Sequence, residues 1–157
     1  MTHTRCTDVN TTPPAGFHLD MTVAADPAQW PQVLLALERL SQNLQWSEAT
    51  AMRVQLVTEE WALNAMTYGK LPDCADAWVR VALRDAPEAV ELEFSDNGAP
   101  FNPLAVPDKV LPDSLDQAHM GGLGLHLIRQ LARAMDYARD GSCNRLRVEL
   151  AKDPPHM

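Results

Sequence analysis

Cysteines are scarce in this sequence, and their spacing suits neither a metal site nor a disulfide framework. There are three, Cys6, Cys74 and Cys143, an odd number spread over 157 residues with no CxxC pair among them. Scattered single cysteines are typical of small buried or incidental thiols in a reducing compartment. The sequence therefore gives no indication of a secreted fold stabilised by disulfides.

Long apolar runs are also missing. No hydrophobic stretch approaches the roughly 18 residues that a membrane-spanning helix requires, and residues 1–5 lack the apolar core of a signal peptide. We therefore expect a cytoplasmic protein without a membrane partner.

Basic residues are outnumbered by acidic ones. The chain has 13 Lys and Arg against 21 Asp and Glu, which gives a formal net charge of −8. The phosphate backbone of a nucleic acid requires a basic face, and no cluster of Lys and Arg supplies one. We therefore expect no direct nucleic-acid partner.

The remaining composition is that of one soluble globular domain. Hydrophobic residues make up 46% of the chain and charged residues 22%, both ordinary values for such a domain. We expect the domain to span residues 16–151. Pro13-Pro14 and Pro154-Pro155 interrupt the ends, so residues 1–15 and 152–157 are expected to be flexible tails.

Hydrophobic periodicity in the first half predicts one strand and two helices. Apolar residues alternate over residues 17–23, which is the period of a half-buried strand. Asp26-Pro27 is a typical N-cap followed by proline at the first helical position, and the apolar pattern continues to Leu44. Ser47 is expected to open a second helix that ends near Tyr68-Gly69.

The second half predicts a hairpin, a long loop, a helix and a final strand. The hairpin strands are expected at residues 78–83 and 90–95, the loop at 99–118, the helix at 125–138 and the last strand at 145–150. A long proline-containing loop in a compact domain is typically a functional lid or a mobile segment. The order β-α-α-β-β-loop-α-β predicts an α+β two-layer sandwich, with helices on one face of a mixed, mainly antiparallel sheet.

Glu60 and Asn64 stand out on the second helix because residues four apart lie on the same helical face. They form a narrow polar strip with Arg53 between two apolar sectors. One sector contains Met52, Leu56 and Leu63, and the other contains Val54, Val57, Trp61, Ala65 and Tyr68. Polar groups buried without partners are costly, so the strip is expected to meet a ligand, a metal or internal partners. The alternative is an exposed strip in which Glu60 pairs with Arg53 or with solvent.

Asp96 follows the apolar face of the strand that precedes it. Val90, Leu92 and Phe94 alternate with polar residues, so Asp96 is expected on the buried side at the strand end. A carboxylate there can accept a hydrogen bond from the exocyclic amine of adenine, and Gly98 leaves room for a ring. The alternative is that this stretch is only a turn signal.

A glycine-rich loop, Gly121-Gly122-Leu123-Gly124, leads into the predicted third helix. Free N–H groups at a helix N-terminus bind phosphates well. No Lys-Ser or Lys-Thr pair follows, so this is not a Walker A loop, and Leu127 at the third glycine position argues against a dinucleotide fingerprint. Each element is ambiguous alone, but their combination and order predict a nucleotide pocket.

These motifs resemble those of a known family. The segments around Glu60-Asn64, Asp96-Phe101 and Gly122-Leu125 resemble the N, G1 and G2 boxes of histidine-kinase-like ATPases, the Bergerat or GHKL fold. The short chain is similar to the anti-sigma regulatory factors of that group, which are serine/threonine protein kinases. The resemblance extends over roughly residues 16–151.

The resemblance implies a role for each motif residue. Glu60 would be the general base that deprotonates a partner's serine or threonine hydroxyl. Asn64 would bind Mg²⁺ and ATP, Asp96 would bind the adenine amine, and Gly98 would leave space for the base. The cofactor-binding block of the third helix consists of Gly122, Leu123, Gly124 and Leu125, whose glycines would line the phosphates.

The resemblance also implies partners and leaves two functions open. The first is a kinase that phosphorylates an anti-anti-sigma (STAS-domain) protein and sequesters a sigma factor, with a homodimer as the expected assembly. The second is a nucleotide-responsive anti-sigma module without kinase activity. Leu123 motivates the second, because the family often places arginine there.

Overall fold

The computed structural model describes residues 16–68, 76–105 and 122–153. Within them, one sheet of five strands packs against three α-helices. The strands are β1 (Leu19–Ala24), β2 (Trp78–Asp85), β3 (Ala89–Asp96), β4 (Ala134–Asp140) and β5 (Cys143–Ala151), and the helices are α1 (Pro31–Asn43), α2 (Glu48–Tyr68) and α3 (Gly122–Leu131). Short 3-10 helices occur at Pro27–Gln29 and Pro103–Ala105. No helix in these ranges is long and apolar enough to cross a membrane.

The strand order is β1-β2-β3-β5-β4, and all four pairings among the described strands are antiparallel. One hydrophobic core lies between this sheet and all three helices, with Val33 of α1, Val57 of α2 and Ile128 of α3 each almost fully buried in it. The predicted α+β sandwich with a mainly antiparallel sheet is therefore confirmed.

The opposite face of the sheet carries paired charges instead of helices. Glu93 on β3 lies within 3.4 Å of three guanidinium groups, those of Arg80, Arg145 and Arg147, and Arg80 also pairs with Asp20 at 2.8 Å. Long paired side chains cover the pleated surface on this side. The helix-bearing face is the one on which a second layer packs.

The first helix begins later than its N-cap signal indicated. Asp26 does cap a turn, since its carboxylate accepts the N–H of Ala28 at 3.0 Å, but that turn is a 3-10 helix and α1 begins at Pro31. Pro31 has no amide hydrogen to donate to the carbonyl of Pro27, so the α-helical ladder cannot run through this point.

Helix α2 begins where the sequence predicts, but one of its two predicted apolar faces is not buried. Ser47 caps it by accepting the N–H of Thr50 at 3.1 Å. The predicted apolar sector with Met52 and Leu63 is wrong as a packing surface, because these side chains are 66% and 59% exposed. A helix on one side of a single sheet buries one face only, so the sector opposite the core faces solvent.

The predicted helix over residues 125–138 is wrong in its second half. Helix α3 ends at Leu131, and β4 begins at Ala134, paired with β5. Residues 134–138 favour a helix by local propensity, but pairing with β5 determines the outcome. Gly141 and Ser142 form the two-residue turn of this hairpin, with Gly141 at φ +59°, and this glycine after Asp140 was the available signal for it.

Candidate functional site

Helix α2 is fixed to the sheet directly beside its polar residues. Trp61 is buried and stacks on Phe94 of β3, with ring centroids 4.6 Å apart and planes 13° from parallel. This contact holds Glu60 and Asn64 along the edge of the buried face, where both are half-buried. Because Phe94 precedes Asp96 by two residues, the same contact brings the helix strip and the strand-end acid to one layer interface.

Neither Glu60 nor Asn64 has a side-chain hydrogen bond or ion pair within the part of the chain that the structure describes. Arg53 does not pair with Glu60, as one alternative had it, but with Asp153 at 3.1 Å. The two polar groups thus keep their bonding capacity at a partly buried position, which is the condition in which a ligand or metal is expected to satisfy them.

Gly124 of α3 lies against both groups. A Cβ atom at this position would be 2.7 Å from Oε2 of Glu60 and 2.9 Å from the side-chain nitrogen of Asn64. Only a residue without a side chain can occupy this place while those two groups keep their positions. The second glycine motif is therefore in direct contact with the polar strip of α2.

Helix α3 begins at Gly122, three residues earlier than predicted. The predicted phosphate-binding block thus forms the first turn itself, where backbone N–H groups have no intrahelical acceptors. Leu125 is buried at 8% exposure. Gly121, together with most of the predicted loop at 99–118, lies outside the described residues.

Asp96 lies at the end of β3 on the buried side, with 8% exposure. Its Oδ1 atom accepts the N–H of Gly98 at 2.8 Å and the side-chain N–H of Asn144 at 3.0 Å. Its Oδ2 atom has no partner among the described residues. The turn interpretation is confirmed for Oδ1, and the binding interpretation stays a prediction that Oδ2 is placed to fulfil.

Burial raises the pKa of Asp96 above its ordinary value. The hydrogen bonds from Asn144 and from the Gly98 amide oppose that rise, as does the positive charge of Arg139. The ionised carboxylate is therefore not fully stabilised by the protein alone, and a ligand that donates a hydrogen bond to Oδ2 improves its environment.

Three residues near Asp96 were assigned no role from the sequence. Asn144 of β5 lies opposite Asp96 in the strand register, while Tyr137 and Arg139 of β4 bond to Asn144. Arg139 also donates to the carbonyl of Gly98 at 2.8 Å. Tyr137 and Asn144 belong to the C-terminal part of the chain that resembles the histidine-kinase-like ATPases, but their contacts around Asp96 depend on the β3–β5 and β4–β5 pairings, and β4 was not predicted as a strand.

Comparison with known proteins identifies the family of the domain. The family model described as the histidine kinase-like ATPase domain matches residues 23–150, most of the chain. The chain belongs to this family. The match includes α2, the end of β3 and the start of α3, and membership of this family implies that the domain binds ATP.

A curated relative has a more specific name. The ATPase domain is 30% identical over 125 residues to the serine/threonine-protein kinase BtrW of Bordetella bronchiseptica, a match that covers 80% of this chain and 83% of the relative. Identity at this level over most of both chains supports a kinase in general.

Two solved structures are also similar. One is the histidine kinase domain of the Erythrobacter litoralis EL346 blue-light activated histidine kinase, at 16% identity and a TM-score of 0.44 over 75% of this chain. The other is the Acinetobacter baumannii histidine kinase AdeS, at 13% identity and a TM-score of 0.42 over 87% of this chain. The ATPase domain spans 60% of the first solved chain and 68% of the second.

Substitution of Gly124 by alanine is expected to weaken ATP binding without weakening the fold. The new methyl group would displace the Glu60 carboxylate and the Asn64 amide, which are flexible side-chain ends. Alanine itself favours a helix by about 0.8–1.0 kcal/mol over glycine. We expect an unchanged or higher Tm without nucleotide and at least about tenfold weaker ATP binding in a calorimetric titration.

A double variant separates this contact from other effects of the methyl group. In Glu60→Ala/Gly124→Ala the nearest of the two displaced side chains is gone, so adding the methyl should cost less affinity than it does in the parent protein. An equal loss in both backgrounds would contradict a contact with Glu60.

Proposed function

We propose that this protein is an ATP-dependent serine/threonine protein kinase that phosphorylates an anti-anti-sigma (STAS-domain) partner. The observation that carries the proposal is the Glu60 carboxylate, which has no partner within the described residues and lies beside Asn64 against the glycine-containing first turn of α3. Family membership implies that the nucleotide is ATP, and the similarity to the serine/threonine-protein kinase BtrW supports serine or threonine as the acceptor.

The proposed reaction uses few groups because phosphoryl transfer depends mainly on positioning and charge neutralisation. Asp96 accepts a hydrogen bond from the adenine amine and fixes the orientation of the nucleotide. The free N–H groups at the start of α3 hold the phosphates. Glu60 accepts the proton of the partner's hydroxyl as the new oxygen–phosphorus bond forms and the β–γ bond breaks to leave ADP.

Asn64 fits a magnesium ion by the chemistry of its side chain. Mg²⁺ prefers oxygen ligands, and in kinase-type sites it is usually held by one or two protein groups plus the substrate phosphates. The Asn64 carbonyl oxygen has no other partner in the described residues. Bound there, Mg²⁺ would neutralise charge on the phosphates.

The proposed partners extend this function to transcription control. Phosphorylation of the STAS-domain protein would release it, and the kinase, as a homodimer, would then sequester a sigma factor. The acidic chain, with a net charge of −8, supports regulation through proteins rather than through direct binding to nucleic acid.

Radiolabelled transfer tests the proposal. The protein is incubated with γ-labelled ATP, Mg²⁺ and purified STAS-domain proteins encoded beside it. We expect label on one of them at a serine or threonine, stable to acid as phosphoesters are. Label on histidine, which acid removes, would contradict the acceptor type. ATP binding without transfer to any such partner would favour the second candidate.

The second candidate is a nucleotide-responsive anti-sigma module without kinase activity. Leu123 favours it, because a leucine in this position supplies no positive charge toward the phosphates. The two candidates share the ATP pocket and differ only in whether Glu60 acts as a base. Substitution of Glu60 therefore distinguishes them.

A further inference from the structure

Both N–H groups of the Asn144 carboxamide donate hydrogen bonds. It is buried at 7% exposure, and its NH₂ group donates to Oδ1 of Asp96 at 3.0 Å and to the carbonyl of Ala99 at 2.8 Å. Both of its hydrogens are thereby used. Asn144 thus ties the strand-end acid to the loop that follows it.

The oxygen side of the same carboxamide accepts three donors. These are the Tyr137 hydroxyl at 2.6 Å, the Phe101 N–H at 3.2 Å and a guanidinium N–H of Arg139 at 3.3 Å. Reversing the amide would point its NH₂ group at these donors and its oxygen at a carboxylate and a carbonyl. The surroundings therefore permit one orientation only.

This fixed orientation determines which oxygen of Asp96 is free. Oδ1 is engaged by Asn144 and by the Gly98 amide, so the carboxylate cannot rotate without losing both bonds. Oδ2 remains as a single acceptor. Adenine presents one exocyclic amine at its Watson–Crick edge, whereas guanine presents two adjacent N–H donors that are best matched by both oxygens of a carboxylate.

We propose that Asn144 is a positioning residue that selects adenine over guanine by leaving Asp96 one free oxygen instead of two. The inference rests on the proposed ATP site and deepens it, because it assigns base selectivity to a residue that does not itself need to touch the base. Tyr137 and Arg139 of β4 help to orient Asn144 by donating hydrogen bonds to its carboxamide oxygen.

The test compares ATP and GTP binding to the full chain by calorimetry, in wild type and in Asn144→Asp. The variant keeps the size of the side chain and its three accepting contacts, but it replaces the donor to Asp96 with a carboxylate. Repulsion should turn Asp96 and release Oδ1. We expect ATP affinity to fall about ten- to hundredfold and the ATP-to-GTP affinity ratio to shrink at least about tenfold.

Tyr137→Phe serves as the matched control, because the Phe101 N–H and Arg139 still hold the carboxamide oxygen and the donor to Asp96 stays in place. It should keep the wild-type affinity ratio within about twofold. An equally large fall of the ratio in Tyr137→Phe would overturn the proposal, since packing alone would then explain it. Melting curves without nucleotide are recorded for each variant, and Asn144→Ala, with the same expected ratio, replaces the aspartate variant if that one does not fold.

The possible outcomes distinguish a failure of the Asn144 proposal from a failure of the proposed ATP site. A wild-type protein that binds neither nucleotide overturns the ATP site and the inference together. A wild-type protein that prefers ATP, with Asn144→Asp showing the same preference, overturns the role of Asn144 and leaves the ATP site intact.

Discussion

The variant Asp96→Asn is expected to lose ATP binding and to become more stable in the absence of nucleotide. An asparagine that keeps its oxygen toward Gly98 and Asn144 would turn its NH₂ group to the position of Oδ2. That group would face the adenine amine, donor against donor. A hydrogen bond to a charged group contributes about 1.5–3 kcal/mol, and the mismatch adds to its loss, so we expect at least about a hundredfold weaker binding by calorimetry.

The gain in stability follows from the raised pKa of Asp96. Because burial raises that pKa, the folded protein binds the proton more tightly than the unfolded chain does. The free energy of unfolding therefore falls as the pH rises from the ordinary value through the raised one, and it stays lower at neutral pH. A neutral asparagine removes this cost, so the Tm of the variant without nucleotide should exceed that of the wild type at neutral pH. The difference should diminish in acid, where Asp96 itself is protonated.

The exposed Asp136 of β4 provides the matched control. Asp136→Asn makes the same chemical change outside the site, and it should leave both the Tm and the ATP affinity near their wild-type values. A lower Tm for Asp96→Asn would show that the ionised carboxylate contributes net stability to the fold. Retained ATP binding would show that Asp96 does not contact the base.

Local patterns in the sequence were sufficient for the fold class and for the separate pieces of the site. Period-two alternation located β3 and placed Asp96 on its buried side, and the four-residue spacing of Glu60 and Asn64 placed both on one edge of α2. These predictions depend only on neighbouring residues. They match the structure because packing against a single sheet buries the same faces that the local patterns indicate.

The parts that escaped prediction depend on distant contacts. Strand β4 has the local composition of a helix and becomes a strand only by pairing with β5. The cluster of Asn144, Tyr137 and Arg139 around Asp96 requires that pairing and the β3–β5 register together. The contact of Gly124 with Glu60 likewise needs the packing of α3 on α2, which no spacing along the chain specifies.

The variant Glu60→Gln is expected to bind ATP normally and to transfer almost no phosphate. Glutamine has nearly the same size and can keep the place that Gly124 leaves for the side chain, so the pocket should retain its shape. It cannot accept the hydroxyl proton, and a positioned general base contributes about 10²–10⁴-fold to a rate. We expect initial rates of labelled transfer to the STAS-domain partner to fall by about that factor, with ATP affinity within about threefold of wild type.

Glu59, the adjacent half-buried glutamate, supplies the matched control. Glu59→Gln makes the same change on the preceding residue, about 100° further around the helix and away from Gly124, so its transfer rate should stay close to wild type. Asn64→Ala should instead weaken binding of ATP with Mg²⁺ and transfer together. If Glu60→Gln phosphorylates the partner as fast as wild type does, Glu60 is not the base. If wild type and Glu60→Gln both bind ATP but neither labels the partner, the Glu60 carboxylate would serve a nucleotide-responsive binding module, because the same pocket can hold ATP and signal its presence without passing on a phosphate.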